Sequence, residues 1–108
     1  MIQEFKTYNA TPGNIDALIR RFHVSVVPIL ARLGITVEQA WTSADAPDTF
    51  YYMVSYPTME HGKAAWAAFG SDPEWKATKA ASETNGAMLA TQSTVYLKAS
   101  TVSPNSAR

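Results

Sequence analysis

The stretch from Thr49 to Trp75, TFYYMVSYPTMEHGKAAWAAFGSDPEW, decides the fold. Its first part, Phe50 to Tyr56, is aromatic and β-branched, as strands are, and Pro57 ends the strand because it has no N–H to donate. Thr58 is a suitable helix N-cap. Small and apolar residues then recur at helical spacing: Met59, Gly62, Ala65, Trp66 and Phe69. The pattern predicts a strand followed by a helix.

A second helix start follows directly. Asp72 is a cap residue, Pro73 is favoured in the first turn, and the acid Glu74 is favoured near the positive end of the helix dipole. The stretch is therefore predicted as strand, helix, tight turn and second helix. Trp75, in the first turn of that second helix, is interpreted as a structural residue that packs the helix onto the sheet.

The chain before this stretch begins with a strand. Residues 2–9 alternate, which places Glu4, Lys6 and Tyr8 on one face and Phe5 on the other. The segment Thr11-Pro12-Gly13-Asn14 predicts a turn into a helix, with Thr11 or Asn14 as the cap.

Apolar residues from Ile15 to Leu33 keep the helical rhythm over about five turns. Gly34 ends this helix. Pro28 lies inside it, on the side opposite the apolar stripe, and predicts a kink that leaves the carbonyl of Val24 free.

The remaining elements are strands. Ile35 to Thr42 is predicted as the second strand, joined by a short polar loop to the third, and Leu89 to Lys98 as the fourth. Residues 1–98 then form a single domain. Residues 99–108 have no periodicity and are expected to form a mobile tail or an arm laid over a neighbour.

The element order β-α-β-β-α-β is that of the ferredoxin-like α+β fold, a four-stranded antiparallel sheet with both helices on one face. The third and fourth strands carry Tyr, Val or Leu on both sides, so the face away from the helices should not be solvated. A second copy of the chain would cover it. The sequence thus predicts a homodimer closed as a dimeric α+β barrel.

Composition excludes several classes of partner. Nine basic and nine acidic residues cancel and are interspersed, so we expect neither nucleic acid nor a membrane surface as a partner. No apolar run reaches membrane-spanning length, and the N-terminus does not resemble a signal peptide. The absence of cysteine rules out disulfides and is compatible with the cytoplasm, where we expect the protein.

The chain resembles the NIPSNAP family, within the dimeric α+β barrels, from about residue 1 to 98. The resemblance rests on residues in a shared order and spacing: Met1, Ile2, Glu4-Phe5-Lys6-Thr7-Tyr8, Pro12-Gly13, Pro28, Leu33-Gly34-Ile35, Trp41-Thr42, Tyr56 and Asp72-Pro73-Glu74-Trp75. It implies the barrel fold but no agreed catalytic set. Related barrels include cofactor-free oxygenases, cyclases, isomerases and haem enzymes.

The chain departs from the family pattern in two places. Similar proteins carry arginine in the first turns of the second helix and an aromatic residue shortly after the Asp-Pro-Glu-Trp motif. Here those regions hold His61-Gly62-Lys63 and Thr78. An anion-binding role for that arginine therefore does not transfer, and a differently shaped binding site is expected.

The candidate catalytic residues are His61 and His23, each at the edge of an apolar stripe. Either could act as a general base or haem ligand, or be a boundary residue with a routine hydrogen bond. They lack neighbouring ligands at metal-binding spacing, so we expect no metal and no cofactor. Glu4 and Lys6 share a strand face, where they could form an interior ion pair, or Glu4 could exchange protons.

The candidate substrate-binding residues are aromatic: Trp66, Trp41, Tyr56, Tyr52 and Phe69. Trp66 stands among alanines, which either leave room beside the indole for a planar ligand or let the helix pack closely on the sheet.

Three functions stay open at this point. The first is a homodimeric barrel that binds a small apolar molecule, aromatic or acyl, in a helix–sheet cleft. The second is a cofactor-free monooxygenase or cyclase acting on an aromatic, polyketide-like substrate. The third is a scaffold or partner-binding protein without catalysis.

Overall fold

The four strands form one antiparallel sheet in a computed structural model that describes residues 1–100. They are β1 (Ile2–Ala10), β2 (Thr36–Thr42), β3 (Thr49–Tyr56) and β4 (Leu89–Lys98), in the order β2-β3-β1-β4. The predicted ferredoxin-like α+β fold is confirmed. Most of the predicted tail, residues 101–108, lies outside the described residues.

The first helical region follows β1 in three parts: α1 (Ile15–Arg21), a π-helical segment (Phe22–Val26) and α2 (Val27–Arg32). Pro28 has no N–H to donate to the carbonyl of Val24, so a regular α-helix would lose a hydrogen bond here. The π-helical segment ends at Val26, two residues before this proline. The sequence thus predicts where the helix is disturbed. It predicts a kink, whereas the structure has a widened, π-helical turn.

The second helical region consists of α3 (Met59–Ser71) and α4 (Pro73–Ser82). Thr58 Oγ1 accepts a 3.1 Å hydrogen bond from the backbone N–H of His61, and Asp72 Oδ2 accepts a 3.0 Å bond from that of Trp75. Both predicted caps are confirmed. At α1, by contrast, no side chain caps the helix, and Asn14 Nδ2 donates to Thr11 Oγ1 instead.

The helices cover one face of the sheet, where the core lies. Alternate residues of β1 and β3 point toward them, and the largest buried side chains include Phe22, Leu30, Phe50 and Tyr52. Gly62 lets α3 approach β3 closely, because a Cβ at this position would overlap the ring of Tyr56. None of the helices within residues 1–100 is long and apolar enough to span a membrane.

The opposite face of the sheet exposes apolar side chains; we call it the uncovered face. Phe5 packs against Trp41 and Tyr51 there, with ring centroids 5.9 Å and 5.7 Å apart. Val95 and Leu97 of β4 lie on the same face, and Val95 is 52% exposed.

Trp41 reaches this face because of an irregularity in β2. The pairing of β2 with β3 shifts between Val37 and Gln39, so that Val37 pairs with Val54 but Gln39 pairs with Met53. Strict alternation would place Trp41 on the same side as Val37, toward the helices. The shift reverses the alternation and turns Trp41 outward.

Candidate functional site

A cavity of about 280 Å³ lies between the sheet and the helices; we call it the helix–sheet cleft. The sheet contributes side chains of β1 and β4, and the helices and the C-cap of α4 contribute the rest. Most of the wall is apolar: Leu18, Phe22, Trp66, Phe69, Trp75 and Leu89.

Three of these aromatic rings form one packed group. The ring of Phe69 meets Trp66 edge-on at 5.7 Å and stacks on Trp75 at 4.9 Å with an interplanar angle of 27°. Trp66 and Phe69 share a face of α3 because they are three residues apart. The short connection capped by Asp72 brings Trp75, in the first turn of α4, beside them.

Polar groups border the cleft. The Arg21 guanidinium lies over the ring of Trp75, 5.0 Å from its centroid, and forms a 2.7 Å ion pair with Glu83. The hydroxyl of Tyr8 lies 2.7 Å from that of Tyr52 beneath it. Burial raises the pKa of both phenols, that of Tyr52 strongly, so both hydroxyls are neutral at physiological pH.

A buried carboxylate lies beside the cleft. Glu4 has no exposed surface, and its Oε2 accepts a 2.7 Å hydrogen bond from the indole N–H of Trp66. Lys6 Nζ lies 3.3 Å from Glu4 Oε1, donates to Thr94 Oγ1 at 2.9 Å, and stands 4.5 Å from the centroid of the Trp66 ring. The interior ion pair expected of Glu4 and Lys6 is therefore present.

A second cavity, of about 360 Å³, adjoins this carboxylate; we call it the Glu4 cavity. Its lining residues are Glu4, Lys6, Tyr56, Lys63, Trp66 and Tyr96. The hydroxyl of Tyr56 faces the Glu4 carboxylate, and burial together with this negative neighbour raises the pKa of Tyr56 far above its ordinary value. Trp66 and Lys6 line both cavities and so separate them.

The structure brings together some of the predicted substrate-binding residues and not others. Trp66 and Phe69 line the helix–sheet cleft, and Tyr56 lines the Glu4 cavity. Tyr52 is fully buried under the cleft and reaches it through Tyr8. Trp41 lies on the uncovered face, away from both cavities.

The two histidines line neither cavity. His61 Nε2 lies 2.9 Å from the carbonyl oxygen of Gly34, so this nitrogen carries the proton and donates it. The exposed ring of His23 packs edge-on against Phe22 at 5.3 Å. A catalytic role for either histidine stays a prediction. No cluster of His, Cys, Asp or Glu suited to a metal ion occurs within residues 1–100.

The sequence does not single out several residues of the cleft. It indicates only a packing role for Trp75, although this residue forms part of the cleft wall. The feature of the sequence that could have indicated this is the position of Trp75 just after the helix cap, where a tight connection brings α4 back beside α3. Arg21 and Glu83 are 62 positions apart, and no local pattern indicates their ion pair.

The order of strands, with all helices on one sheet face and a cleft between the layers, defines a ferredoxin-like α+β protein. The NIPSNAP family model matches residues 3–104, and the chain belongs to the NIPSNAP family. Comparison with curated proteins gave no match.

Solved structures share the fold at low sequence identity. A NIPSNAP domain protein from Burkholderia xenovorans has a TM-score of 0.79 and 20% identity, covering 96% of this chain and 99% of its own. A NIPSNAP family protein of unknown function from Agrobacterium tumefaciens has a TM-score of 0.77 and 18% identity, covering 96% and 92%. An antibiotic biosynthesis monooxygenase has a TM-score of 0.65 and 13% identity, covering 93% and 99%. These likenesses show the fold alone.

Proposed function

We propose that this protein is a homodimeric α+β barrel that binds a small aromatic or acyl molecule in the helix–sheet cleft. The observation that carries the proposal is the group of three aromatic rings, Trp66, Phe69 and Trp75, around a cavity of about 280 Å³. Ligand sites are typically concave, mostly apolar and of a few hundred Å³, with a small number of polar groups.

The chemistry of the wall supports an apolar ligand with one polar end. Leu18, Phe22 and Leu89 offer only hydrocarbon or ring surface, and the aromatic group offers flat π faces. The guanidinium of Arg21 shares the Glu83 carboxylate with Lys79, so two cations face one anion at the border, and the Tyr8 hydroxyl stays neutral. A polar end that accepts hydrogen bonds, such as a carbonyl or carboxylate group, therefore suits this border.

The uncovered face supports the homodimer. Within the described strands it carries Phe5, Trp41, Tyr51, Val95 and Leu97, and Glu38 is bonded to Gln3 at its border. A face with so little charge can meet its own copy without repulsion between like charges. Exposed apolar surface of this kind marks an interaction site.

A catalytic form of this proposal, cofactor-free monooxygenation or cyclisation, has weaker support. The fold likeness to an antibiotic biosynthesis monooxygenase does not carry activity at 13% identity. The reaction needs a base beside the substrate, and the histidines lie elsewhere. The carboxylate nearest the cleft is Glu4, bonded to the Trp66 wall.

Native mass spectrometry of protein purified from its own host tests the assembly and the ligand together. We expect a dimer that carries a stoichiometric aromatic or acyl compound, identified after denaturation. A monomer, or a dimer that binds no apolar aromatic compound in the titration below, would contradict the proposal.

A fluorescence titration with naphthalene tests the location of the site, because Trp66 and Trp75 report on the cleft. Gly70 lines the cleft, and a Cβ there meets nothing within 4 Å, so Gly70→Leu should fill the cavity without a clash in the backbone. We expect affinity to fall by about tenfold or more, ~1.4 kcal/mol. The matched control is Ala67→Leu, at an exposed position of the same helix that lines neither cavity. Equal binding by both variants would place the probe elsewhere.

A further inference from the structure

The charged side chains that line the helix–sheet cleft do not balance. Within residues 1–100, the lining includes one anion, Glu83, and three cations: Lys6, Arg21 and Lys79. Lys6 is compensated by the buried Glu4, 3.3 Å away. Arg21 and Lys79 share Glu83, at 2.7 Å and 3.7 Å. One positive charge of the cleft therefore has no counter-ion among the described residues, and this excess favours an anionic ligand.

Arg21 is the better placed of the two cations that share Glu83. Its side chain is 10% exposed, against 55% for Lys79, and its guanidinium lies over the ring of Trp75. It donates through Nη1 to Ser82 and Glu83, whereas Nε and Nη2 donate no hydrogen bond within residues 1–100. The guanidinium fork matches a carboxylate in geometry, and hydrogen bonds between charged groups are about twice as strong as neutral ones. Arg21 therefore retains the capacity to bind a carboxylate.

A second donor follows from the pair of tyrosines beneath the cleft. Tyr52 has no exposed surface, and its hydroxyl has one partner within residues 1–100, the hydroxyl of Tyr8. A buried hydroxyl that does not donate loses a hydrogen bond, so Tyr52 is the donor and Tyr8 the acceptor. The proton of Tyr8, which lines the cleft, is then available to a ligand. Gln92, opposite Tyr8 on β4, adds an amide N–H to the same part of the lining.

Tyr8 also keeps this proton at physiological pH. Burial raises the pKa of its phenol by more than the Tyr52 hydroxyl and the charge of Arg21 lower it. The effect of Arg21 on this phenol also shows that the two side chains are close enough to act on one ligand group.

We propose that the ligand of the helix–sheet cleft is a carboxylic acid, bound as its carboxylate, with an aromatic or acyl body. The carboxylate accepts hydrogen bonds from the Arg21 guanidinium and the Tyr8 hydroxyl, and the body lies against the group of three aromatic rings. This inference rests on the function proposed for the cleft and adds the chemical class of the ligand.

Amide NMR titrations of the full chain with three probes test this class. 2-Naphthoate carries the carboxylate, 2-naphthamide has nearly the same shape without the charge, and naphthalene has no polar group. We expect 2-naphthoate to bind about tenfold or more tightly than either neutral probe, because its carboxylate accepts charge-assisted hydrogen bonds. The amides of Tyr8, Arg21 and Phe69 should shift when it binds.

Two neighbouring arginines provide a matched pair of variants. Arg21→Gln removes the anchoring charge and should weaken binding of 2-naphthoate about tenfold, while binding of naphthalene changes by about twofold or less. Arg20→Gln makes the same change at the preceding residue of α1, which is exposed and lines neither cavity, and it should have no effect.

A double variant tests the hydroxyl of Tyr8. Tyr8→Phe alone would leave the buried Tyr52 hydroxyl without a partner, so Tyr8→Phe is combined with Tyr52→Phe, which keeps both rings and removes both hydroxyls. We expect this double variant to bind 2-naphthoate about fivefold to tenfold more weakly than the wild type, and to bind naphthalene equally well.

Three results would overturn the proposal: equal affinity for 2-naphthoate and 2-naphthamide, equal effects of the two arginine variants, or unchanged binding of 2-naphthoate by the double tyrosine variant. Each of these results leaves the cleft intact as a site for naphthalene. If neither 2-naphthoate nor naphthalene binds, the function proposed for the cleft is contradicted together with this inference.

Discussion

The indole N–H of Trp66 donates a 2.7 Å hydrogen bond to Oε2 of Glu4, a carboxylate with no exposed surface. This bond joins α3 to β1, a central strand of the sheet, at the wall between the two cavities. Burying a carboxylate is costly unless a cation and hydrogen bonds compensate it. Lys6 supplies the cation and Trp66 supplies the hydrogen bond, so these two side chains make the charge tolerable.

The variant Trp66→Phe keeps an aromatic ring but removes the donor. It removes the hydrogen bond to Oε2 of a buried carboxylate, so we expect a loss of about 1.5–3 kcal/mol in the free energy of unfolding. Chemical denaturation measures it. The matched control is Trp75→Phe, because Trp75 lines the same cleft but its indole N–H has no partner within residues 1–100. Equal losses in the two variants would show that the bond to Glu4 adds no stability.

The uncovered face should fail as an interface when a charge is placed on it. Val95 is 52% exposed there, and Val95→Glu would bring two carboxylates together across a symmetric contact. We expect the wild type to be a dimer at micromolar concentration by light scattering, and this variant to be a monomer. Val24→Glu makes the same change at a 67% exposed position on the helical side and should stay a dimer. A monomeric wild type, or a dimeric Val95→Glu, would contradict the proposed assembly.

Close packing of α3 on β3 depends on Gly62. A methyl group at this position would overlap the ring of Tyr56, and Gly62→Ala should therefore destabilise the protein by about 1–3 kcal/mol. Gly70→Ala, on the same helix with open space around its Cβ, should instead be neutral or stabilising by up to about 1 kcal/mol. Thermal unfolding compares the two variants. Similar behaviour of both would show that α3 moves to accommodate the methyl group.

Local signals explain why most of the fold could be predicted. The bounds of β4 agree with the prediction at both ends, because period-two alternation is visible there and glycine precedes it. The caps at Thr58 and Asp72 are equally local, since each depends on a side chain and a backbone N–H three residues later. The widened turn at Phe22–Val26 could not be read in this way, because Pro28 shows only that a hydrogen bond is missing.

The candidate site was less accessible from the sequence. Trp66 and Phe69 stand out because they are large residues among alanines on one helix face. Its aromatic ring makes Trp41 a candidate of the same kind, yet the shifted pairing of β2 turns it to the other side of the sheet. The Glu4 cavity depends on long-range packing, since Glu4, Lys63 and Tyr96 come from three elements far apart in sequence. No spacing rule connects them.

Acid should weaken one identifiable contact, the ion pair between Arg32 and Asp72. The Arg32 guanidinium donates a 2.8 Å hydrogen bond to Asp72 Oδ1, and this bond, followed by the cap bond from the N–H of Trp75, lowers the pKa of Asp72. The folded state therefore holds the proton of this carboxyl less tightly than the unfolded state. The resulting stability is fully present above the ordinary carboxyl pKa, about 4, and is lost as pH falls through the lowered folded value.

Asp72→Asn keeps a cap acceptor but cannot titrate, which isolates this effect from the other acidic groups of the protein. We expect the difference in melting temperature between the wild type and Asp72→Asn to be largest near pH 7 and to shrink steadily below about pH 4. Arg32→Gln removes the main cause of the lowered pKa. In this background, adding Asp72→Asn should change the melting temperature by less than it does in the wild type, and the change should depend less on pH. If the difference in melting temperature between the wild type and Asp72→Asn stays constant from neutral to acidic pH, the charge of Asp72 adds no stability and its carboxylate acts only as a cap.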